Sequence, residues 1–166
     1  MNIVLIGFMG SGKTTIGMKL SKEKGMAFVD TDILIQRKLS LSIENIFNYY
    51  GQRFFRLTEK EVISELSKLD NCIISVGGGA FIDKRNIEIL KGIGIVIFLN
   101  GRINTMMKNI RGDKRPLLKE QNLSNITQLY ESRLPFYKKA DLEICIDELT
   151  PDKIVIEIMN NVKFSV

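Results

Sequence analysis

The stretch Gly7-Phe8-Met9-Gly10-Ser11-Gly12-Lys13-Thr14 decides how the rest of the chain is read. Its spacing is G-x-x-x-x-G-K-[ST], set between an apolar run at residues 3–6 and a helical pattern at residues 13–24. That is the strand-to-helix context the spacing requires. Glycines let successive backbone N–H groups curl around a phosphate, and the positive end of the following helix faces the same anion. Lys13 is expected to reach the β- and γ-phosphates of a nucleoside triphosphate, and the Thr14 hydroxyl to ligate Mg2+. The competing reading is a glycine-rich turn without a ligand, which the full pattern in context disfavours.

Outward from this loop, short apolar runs alternate with longer helical patterns. Residues 3–6, 27–29, 72–76, 95–99 and 142–146 are expected strands, each bounded by Gly, Asn or Asp. Residues 13–24, 53–69, 83–91, 104–110, 126–138 and 152–161 are expected helices. Alternation of this kind with continuously apolar strands predicts an α/β three-layer sandwich around a central five-stranded parallel sheet. The 166 residues fit one domain, 1–166. Two stretches break the rhythm. Residues 32–50 form a helical insertion with Ile43, Ile46 and Phe47 at helical spacing, and the expected substrate-binding unit runs over about 32–60. Residues 111–125 are polar, with Gly112, Asp113, Pro116 and Asn122, and are expected to form a mobile lid.

Composition narrows the chemistry. There is no histidine, which removes Ser-His-Asp triads, imidazole bases and His-ligated metals. The net charge of +5 suits anionic ligands, but no basic run reaches five residues, so nucleic acid is not expected as a partner. Cys72 and Cys145 lie far apart in apolar runs and are expected to be buried thiols of a reducing compartment. The N-terminus reads as a buried strand rather than a signal peptide, and no apolar stretch approaches a membrane span. The expectation is a soluble, cytoplasmic protein.

The acceptor side has its own landmarks. In Asp30-Thr31-Asp32 the two carboxylates diverge, so that Asp30 can face a metal and Asp32 an acceptor, although Asp32 can equally cap a helix starting at Ile33. Arg56 has Glu59 at i+3, which alone would be a weak surface pair. Ser75-Val76-Gly77-Gly78-Gly79 ends the third strand, where open α/β sheets bind ligands. Three consecutive glycines suggest close backbone approach to a ligand. Arg115 and Arg133 complete the set, each unremarkable by itself as a solvated residue.

Taken in order, these landmarks resemble the shikimate kinase family, small P-loop enzymes of the nucleoside-monophosphate-kinase-like class. The resemblance is carried by residues 7–14, Asp30-Thr31-Asp32, Ile43-Glu44-Asn45-Ile46-Phe47, Gly51 with Phe55-Arg56, Ser75-Val76-Gly77-Gly78-Gly79, Arg115-Pro116-Leu117-Leu118, and Arg133 with Tyr137. It implies a P-loop NTPase fold and transfer of the γ-phosphoryl group of ATP to the 3-hydroxyl of shikimate, within aromatic amino acid biosynthesis. By position it implies that Gly10, Ser11, Gly12, Lys13, Thr14 and Thr15 bind the nucleotide, joined by Arg115 from the lid. Asp32 would hold the shikimate hydroxyls and accept or orient the reacting proton, making Lys13, Asp32 and Arg115 the catalytic set. Arg56 and Arg133 would clamp the substrate carboxylate, with Gly77, Gly78 and Gly79 supplying backbone contacts. Thr14 and Asp30 would hold Mg2+. A monomer is implied, with no nucleic acid or membrane partner. Departures from the family pattern are Gln36 and Gln52 where Glu is common, Ser40 where Gly is common, and Lys108 where an adenine-stacking Arg is common, with Thr150-Pro151 a further adenine contact. The rival readings are a kinase of similar architecture for gluconate or a nucleotide, and an ATP-driven conformational switch.

Overall fold

A computed structural model describes residues 1–110 and 123–162. Its centre is β1 (Asn2–Ile6), with all five residues buried. Successive strand residues point to opposite faces, so this pattern requires both faces of the sheet to be covered. The other strands are β2 (Ala27–Asp30), β3 (Cys72–Ser75), β4 (Gly94–Asn100) and β5 (Leu142–Cys145), all parallel in the order β2-β3-β1-β4-β5. Helix α1 (Lys13–Lys24) packs with α7 (Pro151–Asn161). Helix α4 (Lys84–Ile93) packs on β4 and against α3 (Ile43–Glu65). Helices α2 (Thr31–Leu39), α5 (Ile103–Asn109) and α6 (Leu123–Tyr137) complete the set. The three-layer α/β architecture is as the apolar runs predict.

Asn2 is 1% exposed, yet its amide is fully used. Its Nδ2 donates to the carbonyls of Leu69 and Ile93, and its Oδ1 accepts from the Cys72 amide. One polar side chain thus ties together the starts of the three middle strands. At the other end, Leu5 and Asp30 both register with Ser75, so the loops after β1, β2 and β3 open on one edge. The chain departs to opposite sides of β1, and the crevice at such a switch point is where open α/β sheets bind ligands.

The insertion differs from the expected single helical stretch. Its helices α2 and α3 are separated by Ser40 in the left-handed region (φ 54°) and by Ser42, whose hydroxyl caps α3 at the Asn45 amide. Helix α3 begins ten residues before the expected 53, and Gly51 interrupts it with φ 76° and ψ 174°. No atom lies within 4 Å of where a Gly51 Cβ would be, so the glycine is demanded by backbone angles rather than by space. A small satellite core of Ile35, Ile46, Phe55 and Val62 joins α2 to α3, with the Phe47 and Phe55 rings 4.8 Å apart. Residues 123–125 of the expected lid are the first turn of α6, and the remainder lies outside the described residues.

Cys72 is buried as expected, but Cys145 is exposed. Strand β5 is an edge strand, and alternation turns Glu143 and Cys145 outward while Ile144 enters the core. Among the described residues no helix is long and apolar enough to cross a membrane.

Candidate functional site

The loop after β1 wraps back on itself. Gly10 adopts φ 75°, and a Cβ there would stand 2.1 Å from the Met106 carbonyl oxygen, so both backbone and space exclude a side chain. Lys13 is 8% exposed, with its Nζ inside the loop, donating to the Gly7 and Phe8 carbonyls at 2.9 Å and to Ser11 Oγ at 3.3 Å. Helix α1 has Gly12 as N-cap and no side-chain cap, leaving its first-turn amides facing the cleft. The loop, the ammonium and the helix end form one cationic cradle.

Thr14 Oγ1 donates to Asp30 Oδ2 at 2.9 Å. The other carboxylate oxygen, Oδ1, accepts from the Asp32 amide at 3.0 Å and caps α2. The capping role open to Asp32 in the sequence therefore belongs to Asp30, and Asp32 sits in the first turn of α2. Thr14 and Asp30 offer one hydroxyl and one carboxylate oxygen beside the phosphate cradle. Among the described residues no group of three or more His, Cys, Asp or Glu could hold a metal. This oxygen pair fits a cation that keeps its waters and takes phosphate oxygens, as Mg2+ does, rather than one needing a protein cage.

A cleft of about 580 Å³ runs along this edge. Thr14, Thr15, Asp30, Asp32, Gly77 and Gly78 line one part of it, and Ile110, Ile146, Leu149 and Pro151 line the other. Of the two adenine candidates, Pro151 reaches the cleft, whereas Thr150 caps α7 at the Lys153 amide. Lys108 is exposed.

The glycines at 77–79 gather the acceptor residues. A Cβ on Gly77 would lie 2.8 Å from Asp32 Oδ1 and 3.1 Å from Glu59 Oε1. One on Gly79 would lie 2.3–2.6 Å from the Arg56 guanidinium. Arg133 Nη1 donates to the Gly78 carbonyl at 3.3 Å, and its guanidinium lies 5.8 Å from the Phe8 ring centroid. Asp32, Arg56, Arg133 and the triple glycine therefore converge, as their chain order alone could not reveal. Arg115 lies outside the described residues.

Spacing alone makes Glu59 a weak surface partner of Arg56. It is instead 2% exposed, with Oε2 accepting from Arg56 Nη1 at 2.7 Å. Burial pushes its pKa above the ordinary carboxyl value and the nearby Asp32 adds to this, while Arg56 and Arg133 oppose it. A signal was present: Phe55, Glu59, Val62 and Ile63 share one helical stripe, and a carboxylate within an apolar stripe has to be paired.

The family model described as shikimate kinase matches residues 9–163. The shikimate kinase of Caldicellulosiruptor saccharolyticus is 45% identical over 153 residues, covering 91% of this chain and 89% of the relative. That of a Sulfurihydrogenibium species is 39% identical over 163 residues, 98% of each chain. Shikimate kinase from Acinetobacter baumannii, solved in complex with shikimate, superposes with a TM-score of 0.92 at 34% identity, over 96% of this chain and 91% of the other. Likeness at this level, over nearly the whole chain, means that the chain belongs to the shikimate kinase family.

Proposed function

We infer that the protein transfers the γ-phosphoryl group of ATP to the 3-hydroxyl of shikimate, giving shikimate 3-phosphate and ADP. The observation that carries this reading is the meeting of Asp32, Arg56 and Arg133 around the 77–79 loop, whose Gly77 and Gly78 line the same cleft as the phosphate cradle. A small carboxylated polyol needs a cationic clamp and a hydroxyl acceptor. Without histidine the acceptor falls to a carboxylate.

Phosphoryl transfer asks the protein mainly for positioning and charge stabilisation. The amides of residues 10–15 and Lys13 hold the β- and γ-phosphates. Asp32 orients the 3-hydroxyl and takes its proton. Arg56 and Arg133 fix the substrate carboxylate through planar, multidentate guanidinium contacts. Arg115 is assigned to the charge on the transferring group. Thr14 and Asp30 would hold Mg2+, which when bound neutralises charge on the β- and γ-phosphate oxygens. The two free thiols suit a reducing, cytoplasmic setting, and the reading is of a monomer without nucleic acid or membrane partners.

The test is ADP release with shikimate, gluconate, AMP or no acceptor. Shikimate-dependent release is expected, with the other three at background. Equal release without acceptor would favour the ATP-driven switch, and release with gluconate or AMP would favour a different kinase.

A further inference from the structure

Glycine loops are the least self-supporting backbone available, because no residue loses more conformational freedom on being ordered. At Gly77 and Gly79 the places where side chains would begin are taken by Asp32, Glu59 and the Arg56 guanidinium, and a Cβ on Gly78 would lie 3.3 Å from the Gly7 carbonyl. Apart from one turn bond of the loop itself, from the Ala80 amide to the Gly77 carbonyl at 3.0 Å, their position must therefore be set from outside. Three side chains from three different helices do so, each at most 1% exposed. Thr31 Oγ1, at the first turn of α2, accepts from the Gly77 amide at 3.0 Å. Tyr137 Oη, at the end of α6, donates to the Gly78 carbonyl, the same oxygen that takes Arg133 Nη1. Asn86 Nδ2, on α4, donates to the Ala80 carbonyl at 3.0 Å.

We propose that Thr31, Tyr137 and Asn86 are positioning residues that fix the 77–80 backbone in register with Asp32, Arg56 and Arg133, and so set the geometry of the shikimate pocket. The inference rests on the shikimate reading above. Two details support it. Tyr137 lies one turn beyond Arg133 on α6, so the shared Gly78 oxygen couples the substrate-facing arginine to the loop. Burial also pushes the Tyr137 phenol up to about 12, which keeps it a donor throughout the working range. Asn86 buries its Oδ1 without a partner among the described residues. An apolar side chain would avoid that cost, so the value of the amide lies in its bond to Ala80.

The test uses the full chain with Thr31→Val, Thr31→Ser, Tyr137→Phe and Asn86→Leu, in steady-state ADP release varied against both substrates. Loss of one loop bond should raise the shikimate KM by roughly 3–10-fold, while the ATP KM moves by less than about 2-fold. Thr31→Ser should recover most of the Thr31→Val loss. A purely structural role would lower Tm and leave the shikimate KM unchanged, and that result in Thr31→Val would overturn the proposal even if the Tyr137 and Asn86 variants failed to fold. Equal rises in both KM values would also overturn it. No shikimate-dependent turnover by the unsubstituted chain would sink the functional reading and this inference together. Full turnover with unmoved KM values in the variants would sink this inference alone.

Discussion

Glu59 Oε2 accepts a hydrogen bond from Arg56 Nη1 at 2.7 Å, with the carboxylate side chain 2% exposed and the guanidinium side chain 23% exposed. The pair is asymmetric: the acid is sunk in the protein while the base remains partly exposed. The acid therefore acts as the anchor, and in the proposed clamp the exposed face of the arginine meets the substrate carboxylate. Glu59→Gln preserves shape but removes the ionic hold, and should raise the shikimate KM by about 10-fold, within the range for losing one partner of a charged hydrogen bond. Steady-state kinetics against shikimate checks it.

The same residue has a pH signature. Its folded pKa is raised, chiefly by burial, so its contribution to stability is fully present below the ordinary carboxyl value of 4.5 and is lost as pH rises through the raised value. Glu59→Gln has no such titration. Thermal unfolding from about pH 4 to about pH 7 should show the Tm difference shifting in favour of the variant as pH rises. A constant difference across that window would mean that Glu59 titrates alike in the folded and unfolded chains.

Lys13→Ala removes the only ammonium placed inside the loop among the described residues. The expected loss is roughly 10²-fold or more in kcat, as for removal of one preorganised charge. A folded variant that retains normal turnover would take the lysine out of the mechanism.

Asp32→Asn keeps the hydrogen-bonding shape but gives up the carboxylate. A fall in kcat of about 10²-fold or more is expected, typical of losing a general base, with ATP affinity preserved. Collapse of ATP affinity with intact shikimate binding would move Asp32 to the nucleotide side.

Arg133 and Arg115 should separate kinetically. The substrate carboxylate keeps its charge through the reaction, so Arg133→Ala should act mainly on the shikimate KM. Arg115→Ala should act on kcat, by as much as about 10³-fold if the side chain meets the transferring group. Interchanged effects would reverse the two roles.

The phosphate cradle was legible because its chemistry is local: strand, glycines, lysine and helix follow one another within a dozen residues. The strands were legible as apolar runs, since a parallel strand covered on both faces has no polar face to show. What escaped depended on tertiary neighbours. Helical spacing placed Glu59 one turn from Arg56, but only packing of α3 against α2 and α4 and in the satellite core decides that the carboxylate is buried. The cap falls on Asp30 rather than Asp32 because α2 starts at Thr31, two residues before the Ile33 that the sequence suggested. Cys145 sits in an apolar run, yet edge position exposes it. The convergence of Arg56, Asp32 and Arg133 brings Arg133 to two residues more than seventy positions before it.

Gly51 poses a question of chirality. Its φ of 76° and ψ of 174° fall where L-residues are strained, although the space beside it is empty. The mirror image of those angles is ordinary extended backbone, so the site suits a D-amino acid. Gly51→Ala should cost about 1–3 kcal/mol. D-alanine introduced at the same position by chemical ligation should gain about 0.4–1 kcal/mol by narrowing the unfolded ensemble. Urea unfolding of the two proteins would then rank two residues of identical composition by handedness alone.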